Sequence, residues 1–331
     1  MILGALAYSV SPAAPAQAAP TIATVDFFGL RTVSEARLRE HLPFAEGDPL
    51  PDKQHRPDGE VIARALGVAR VSFAFICCTS EQKIMMYVGV AENAARPTRT
   101  PAKYTGAARL PESVLRADEE FGTQVREAIA HGQAQEDDSQ GHALGVYPPL
   151  RAVQQEFIDY AGHHADLAAE VLASSANARH RAVAALILGY LPDKRAAARA
   201  LAPGVVDPDE GVRNNATRAL GVIAEYSLAH PELGIQIDAE PFVAMLDSAT
   251  WTDLNKGLMV LMQLTSGRDS VLLRMLRERA RPVLIDTCRW KNPGHSLPGC
   301  LILRRVEGLP DFSGPDDRSE VLRKVGAIGA N

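Results

Sequence analysis

Asp207-Pro208-Asp209-Glu210-Gly211-Val212-Arg213-Asn214-Asn215-Ala216-Thr217-Arg218-Ala219-Leu220-Gly221 is the stretch on which the fold assignment turns. Four of its residues, Arg213, Ala216, Leu220 and Gly221, stand 32 positions after Arg181, Ala184, Leu188 and Gly189. A fixed displacement of that size marks stacked units, none of which can bury its apolar face alone. Between the copies lie a helical run, Lys194 to Ala202, introduced by Leu191-Pro192-Asp193, and then the Asp207-Pro208-Asp209 turn. Two helices per period is the arrangement of a helical-hairpin solenoid. Acidic residues ahead of a helix satisfy its free N–H groups, and a small residue such as Ala216 lets two helices cross closely.

Working outward, helical spacing recurs from Pro149 onward between short Pro/Asp/Gly turns. Val153, Phe157, Ile158 and Ala161 share one face, and Leu167, Val171 and Leu172 the next. His163-His164 is read as the opening of that second helix. Past Leu233 the pattern loosens. Helices are expected at Phe242 to Leu246, Asn255 to Leu264, Ser270 to Arg279 and Pro282 to Trp290, then around Leu301-Ile302-Leu303, with a polar, peripheral tail over 308–331. Aromatics make up only 5% of the 331 residues, so the core must be built from Ala, Leu and Val, which suits close helix packing. The net charge of −5 gives no argument for a nucleic-acid or anionic-membrane partner. No apolar stretch approaches the roughly 20 residues of a membrane span.

The 207–221 stretch resembles a HEAT repeat of the bilin-lyase type, in which an acidic turn precedes Val-Arg, a small Ala packs helix on helix and Leu-Gly closes the unit. That resemblance implies a HEAT-like α-solenoid over 149–307 with a surface for protein or peptide contacts. Residues 93–148 read as a Pro- and Gly-rich connector holding one helix, Pro111 to Ala130.

Ahead of the connector, residues 19–92 read as a small α/β module. Ile22 to Phe28 is β-branched and aromatic and ends at Gly29, a strand. Thr32-Val33-Ser34-Glu35 has the spacing of a capping box and opens a helix to about Leu42. A second helix, Glu60 to Leu66, stops at Gly67, and Val68 to Cys77 and Ile84 to Val90 form a hairpin. With its phrases Val25-Asp26-Phe27-Phe28-Gly29-Leu30-Arg31-Thr32-Val33-Ser34 and Gly47-Asp48-Pro49, this β-α-α-β-β unit resembles a POTRA domain. The resemblance implies contact with a polypeptide, often by addition of a strand to the sheet edge.

Residues 1–18 carry an apolar run, Ile2 to Val10, then Ser11-Pro12 and the small-x-small triplet Ala16-Gln17-Ala18, the order of a secretion signal, although no Lys or Arg precedes the run. A periplasmic or secreted location follows, with partners in the cell envelope. Four cysteines suit such a compartment. They allow three pairings; the Asn292-Pro293-Gly294 turn favours Cys288 with Cys300, and four buried thiols are the other reading.

No P-loop, GxGxxG or Gly-x-Ser-x-Gly frame is present, so neither Ser139 nor Ser296 reads as a nucleophile and no cofactor is expected. Asp137, Asp138 and His142 could supply oxygen and imidazole ligands to a metal, which defines the rival reading, a metal-dependent enzyme. Solvated or capping acids are the alternative for that loop. A basic run that includes Arg274, Arg277 and Arg281, with Trp251 and Trp290, is the candidate binding surface; a solvated helix face and core anchors are the plain alternatives. The expected function is a non-catalytic binding or scaffolding protein.

Overall fold

The computed structural model describes residues 20–52, 54–77, 79, 81, 83–93, 104–314 and 317–327. The expected signal segment lies outside them. The chain is mainly helical, with a small sheet at its N-terminal end.

Strands β1 (Ile22–Phe28), β2 (Arg70–Ile76) and β3 (Ile84–Ala91) form one sheet in the order β1-β3-β2. β2 and β3 are antiparallel, whereas β1 runs parallel to β3. The crossover is made by α1 (Glu35–Arg39) and α2 (Gly59–Leu66), which Gly67 ends in the left-handed region at φ 73°. Alternation sorts the two sheet faces. Val71, Met86, Val88 and Val90 pack with Leu38, Ile62 and Leu66. Phe28, Met85 and Tyr87 join the larger core of the helical part. Burial on both faces accounts for the nearly unbroken apolar run of β3.

The capping of α1 differs from the capping-box expectation. Ser34, not Thr32, accepts the Arg37 N–H. Thr32 is engaged by Glu92, whose carboxylate accepts the N–H groups of Arg31, Thr32 and Val33 and the Thr32 hydroxyl. Burial pushes that carboxyl up, but four hydrogen bonds to its charged form outweigh burial and bring it to about 2.

The remainder comprises α3 (Glu112–Ala130), the two-residue strands β4 (Glu136–Asp137) and β5 (Leu144–Gly145), and α4 (Pro148–Ser174). Then come α5 (Ala178–Gly189), α6 (Lys194–Leu201), a 3-10 turn (Ala202–Val206), α7 (Glu210–Ala229), α8 (Glu240–Met245) and α9 (Trp251–Leu264). The chain closes with α10 (Ser270–Arg279), α11 (Arg281–Arg289), α12 (Pro293–Val306) and α13 (Asp317–Lys324). Helices α4, α5, α7, α9 and α12 pack each on the next; α6, the 3-10 turn and α8 back that row. The sheet closes its far end through α9 and α11.

The 32-residue displacement survives at the level of atoms. Asn177 and Asp209 cap α5 and α7, accepting the N–H groups of His180 and Val212. Arg181 donates to the Ser175 carbonyl at 2.8 Å and to both Asp207 oxygens at 2.8 and 2.9 Å. Arg213 donates to the Asp207 carbonyl at 2.9 Å and to both Asp253 oxygens at 2.8 and 2.9 Å. Each arginine thus hooks its own helix to the turn before it and to an acid of the next unit. Ala184, Leu188 and Gly189, like Ala216 and Leu220, are buried, while Gly221 is half-buried.

The helix break expected at His163-His164 is present: α4 is two helical pieces joined across a kink at His164, whose backbone is non-helical (φ −133°, ψ 27°). The connector contributes Ala143 and Leu144 to the buried interior. One further expectation needs correction. The polar tail is not peripheral as a whole, since Val321 and Leu322 of α13 are buried against the body.

Candidate functional site

One face of the helix row departs from simple packing. The first copy places Ala182, Val183 and Leu186 where the second places Asn214, Asn215 and Arg218. Polar side chains that replace apolar ones inside a repeat are costly unless partnered. Here Asn215 donates to the Ala182 carbonyl at 2.9 Å, and Asn214 donates to Asn215 Oδ1 at 3.2 Å. Arg218 pairs with Glu136 of β4. Helical spacing carries the face across three helices: Ala182, Leu186 and Gly189 on α5; Asn215, Arg218, Val222 and Glu225 on α7; Lys256, Met259 and Gln263 on α9. Gln263 donates to Glu225 at 3.1 Å and ties the last two together.

The 136–146 loop lies against this face. Gln154, fully buried in α4, clips it: its Oε1 accepts from Gly145 N–H at 2.7 Å, and its Nε2 donates to the Ala143 carbonyl and to Tyr190 Oη. Gly141, at φ 71°, sits where a Cβ would meet the Tyr226 ring at 2.9 Å and Lys194 Cε at 3.0 Å. Lys194 Nζ donates to His142 Nδ1 at 2.7 Å and to the Leu191 carbonyl at 2.9 Å. Accepting at Nδ1 leaves the His142 proton on Nε2. Burial, reinforced by the Lys194 charge, brings His142 down to about 4, and burial brings Lys194 down to about 8. His142 Nε2 and Asp138 Oδ1 are both buried and find no hydrogen-bond partner among the described residues. Burial, with Glu136 next, raises the Asp138 carboxyl. Beneath the loop is a cavity of about 20 Å³ lined by His142, Tyr190, Asn215, Arg218 and Val222, room for one water molecule.

The metal reading of this loop does not fit the geometry. Asp137 accepts from Ser139 N–H and faces Arg151 at 3.6 Å. The Nδ1 of His142 is taken by an ammonium, which repels a cation. Among the described residues no group of three or more His, Cys, Asp or Glu side chains is placed to hold a metal ion.

The basic run is mostly exposed, but many of its charges are engaged within the chain. Arg277 donates to the Val306 carbonyl, Arg281 pairs with Glu307 at 2.7 Å, and the buried Arg304 and Arg305 hold Glu320 and Asp311. These charges serve carbonyls and acids that tie α10 to α13; Arg274 and Arg277 are exposed and Arg281 is half-buried. Trp290 is no surface anchor: it is 1% exposed, donates to the Phe27 carbonyl at 3.2 Å and packs on Phe28 and Tyr87. Trp251 is half-buried against Tyr87 and His295, and its indole N–H has no acceptor among the described residues. Cys288 and Cys300 are joined in a disulfide that binds α11 to α12, and Cys77 is disulfide-bonded too; Cys78 lies outside the described residues.

Sequence reasoning missed Gln154, Tyr190, Lys194, Asn214, Asn215, Arg218 and Lys256. The readable signal was the polar departure of the second copy from the first. No protein-family model matches the chain, and no curated protein does.

Proposed function

We propose that this chain is an exported, non-catalytic binding or scaffolding protein, whose HEAT-like solenoid presents the α5–α7–α9 face to an extended polypeptide. The observation that carries this reading is the substitution of Asn214, Asn215 and Arg218 into a repeat whose first copy is apolar there. Packing alone does not call for those groups, whereas amides and a guanidinium suit a peptide backbone and its side chains. A row of helices supplies the extended surface that repeat proteins use for binding.

The POTRA-like reading of the N-terminal module adds a second contact. β2 ends the sheet order and pairs with no strand other than β3 among the described residues, so it can accept an added strand. The disulfides support an oxidising, periplasmic or secreted setting.

The test is panning of a displayed peptide library on the folded chain. Selected peptides are expected to lose binding to Asn214→Lys and Val222→Lys and to keep it with Val271→Lys, which lies on exposed α10 surface. Thermal melting confirms that each variant is folded. Selected peptides that ignore both groove variants would sink the face reading.

A further inference from the structure

The α9 end of the same face carries a cation without a partner among the described residues. Lys256 has neighbouring charges in Arg218 and Glu136, yet its ammonium makes no hydrogen bond or ion pair among the described residues. Burial, with Arg218 next, brings it down to about 8. Glu136 is already committed to Arg218. His295 is near enough to feel the Lys256 charge, and its Nδ1 shares a hydrogen bond with the Tyr87 hydroxyl at 2.5 Å. The Trp251 ring stands 5.3 Å from that imidazole, with its N–H orphaned. The Trp251 N–H is a buried donor without an acceptor, which is costly, and the half-buried Lys256 ammonium has no partner among the described residues; an anion is a group that would serve such donors.

We infer that the stretch from Arg218 through Lys256 to His295 is an anion subsite, and that its ligand is a carboxylate of an acidic, extended polypeptide. This rests on the polypeptide-binding reading of the face and names its partner. The chain itself supplies the precedent: Glu136, carried on the extended β4 segment, already places one carboxylate on Arg218. A second acidic side chain on a bound strand would take Lys256, with the His295 imidazole nearby.

The probe is a short peptide of alternating Glu and Ser, compared with its Gln/Ser counterpart and with inorganic phosphate. Calorimetry measures affinity, and tryptophan fluorescence reports through Trp251. Binding is expected for the Glu peptide alone and should weaken on the order of tenfold in Lys256→Gln, one lost charge-assisted bond. Lys256→Arg should retain it, and Arg274→Gln should leave it unchanged. Equal binding of the Gln peptide, unaltered affinity in a folded Lys256→Gln variant, or no binding by the Glu peptide overturns the inference. Phosphate binding as tightly as the peptide overturns the polypeptide source. If library-selected peptides need Asn214 and Val222 but ignore Lys256, the face reading stands and this one falls.

Discussion

At the scale of single residues, the decisive pair is Arg181 with Asp207, whose side chains are 4% and 0% exposed. A buried pair tolerates removal of both partners far better than removal of one, because one leaves an uncompensated charge. Asp207→Leu is therefore expected to cost about 3–5 kcal/mol in urea unfolding. The Arg181→Met/Asp207→Leu double variant should regain part of that, short of the bonds Asp207 accepts from Asp209 N–H and Arg181 gives to the Ser175 carbonyl. The sequence pointed to Arg181 and Arg213 as repeat markers but not to their partners, because Asp207 and Asp253 are ordinary acids until folding brings them to the hooks. His142 follows a different rule. Its proton affinity is lower in the fold than in the open chain, so the unfolded form binds more protons between pH 6.5 and about 4. Loop stability is full above that window and is lost as pH falls through it. Hydrogen exchange of residues 136–146, corrected for intrinsic rates, should be faster at pH 4.5 than at pH 7; equal protection would contradict the Lys194–His142 anchor.

Between helices, the approach of α5 to α7 depends on Gly189, where an added Cβ would lie 2.8 Å from Ala219 Cβ. The corresponding Gly221 has only Val260 at 3.7 Å, ordinary contact. Two glycines in equivalent positions therefore predict opposite outcomes. Gly189→Ala should destabilise by about 1–3 kcal/mol through overpacking, while Gly221→Ala should be neutral or stabilising by up to about 1 kcal/mol from helix propensity. Thermal melts of the two variants make the comparison. The helices and strands themselves were largely legible, since amphipathic spacing, Asp and Asn caps and Gly stops are local signals. The break in α4 was legible too, but the Ser34 cap and the docking of α13 were not: each depends on groups distant in sequence. The same holds for the site. Asp138 and His142 were visible as a polar loop, but Lys194 and Arg218, which give that loop its geometry, were legible only as members of helical stretches.

For the molecule as a whole, the sheet and the helices are joined by polar bonds around β1. Asp26 accepts the Lys291 N–H, the Trp290 indole donates to Phe27, and Asp286 takes the Gly29 N–H and the Arg31 guanidinium. Burial chiefly pushes Asp26 up to about 6, against the pull of the Lys291 N–H and ammonium. A carboxyl raised from 3.8 in the open chain holds its proton more firmly when folded. Its cost is absent below about pH 3.8, grows as pH rises to 6, and is complete above, at about 3 kcal/mol. Asp26→Asn should accordingly melt higher than the parent chain at pH 8, with the gap closing toward pH 4. A constant gap across that range would mean that the shift is not the cause.

The bonds around β1 join residues more than 250 positions apart, and this sets a timetable. A ribosome adds roughly 5–20 residues per second, so Phe28, Met85 and Tyr87 wait on the order of ten seconds or longer for Trp290 to be made. Until then the nascent chain carries one bare apolar sheet face, and fragments that stop short of α11 should need a chaperone to stay in solution.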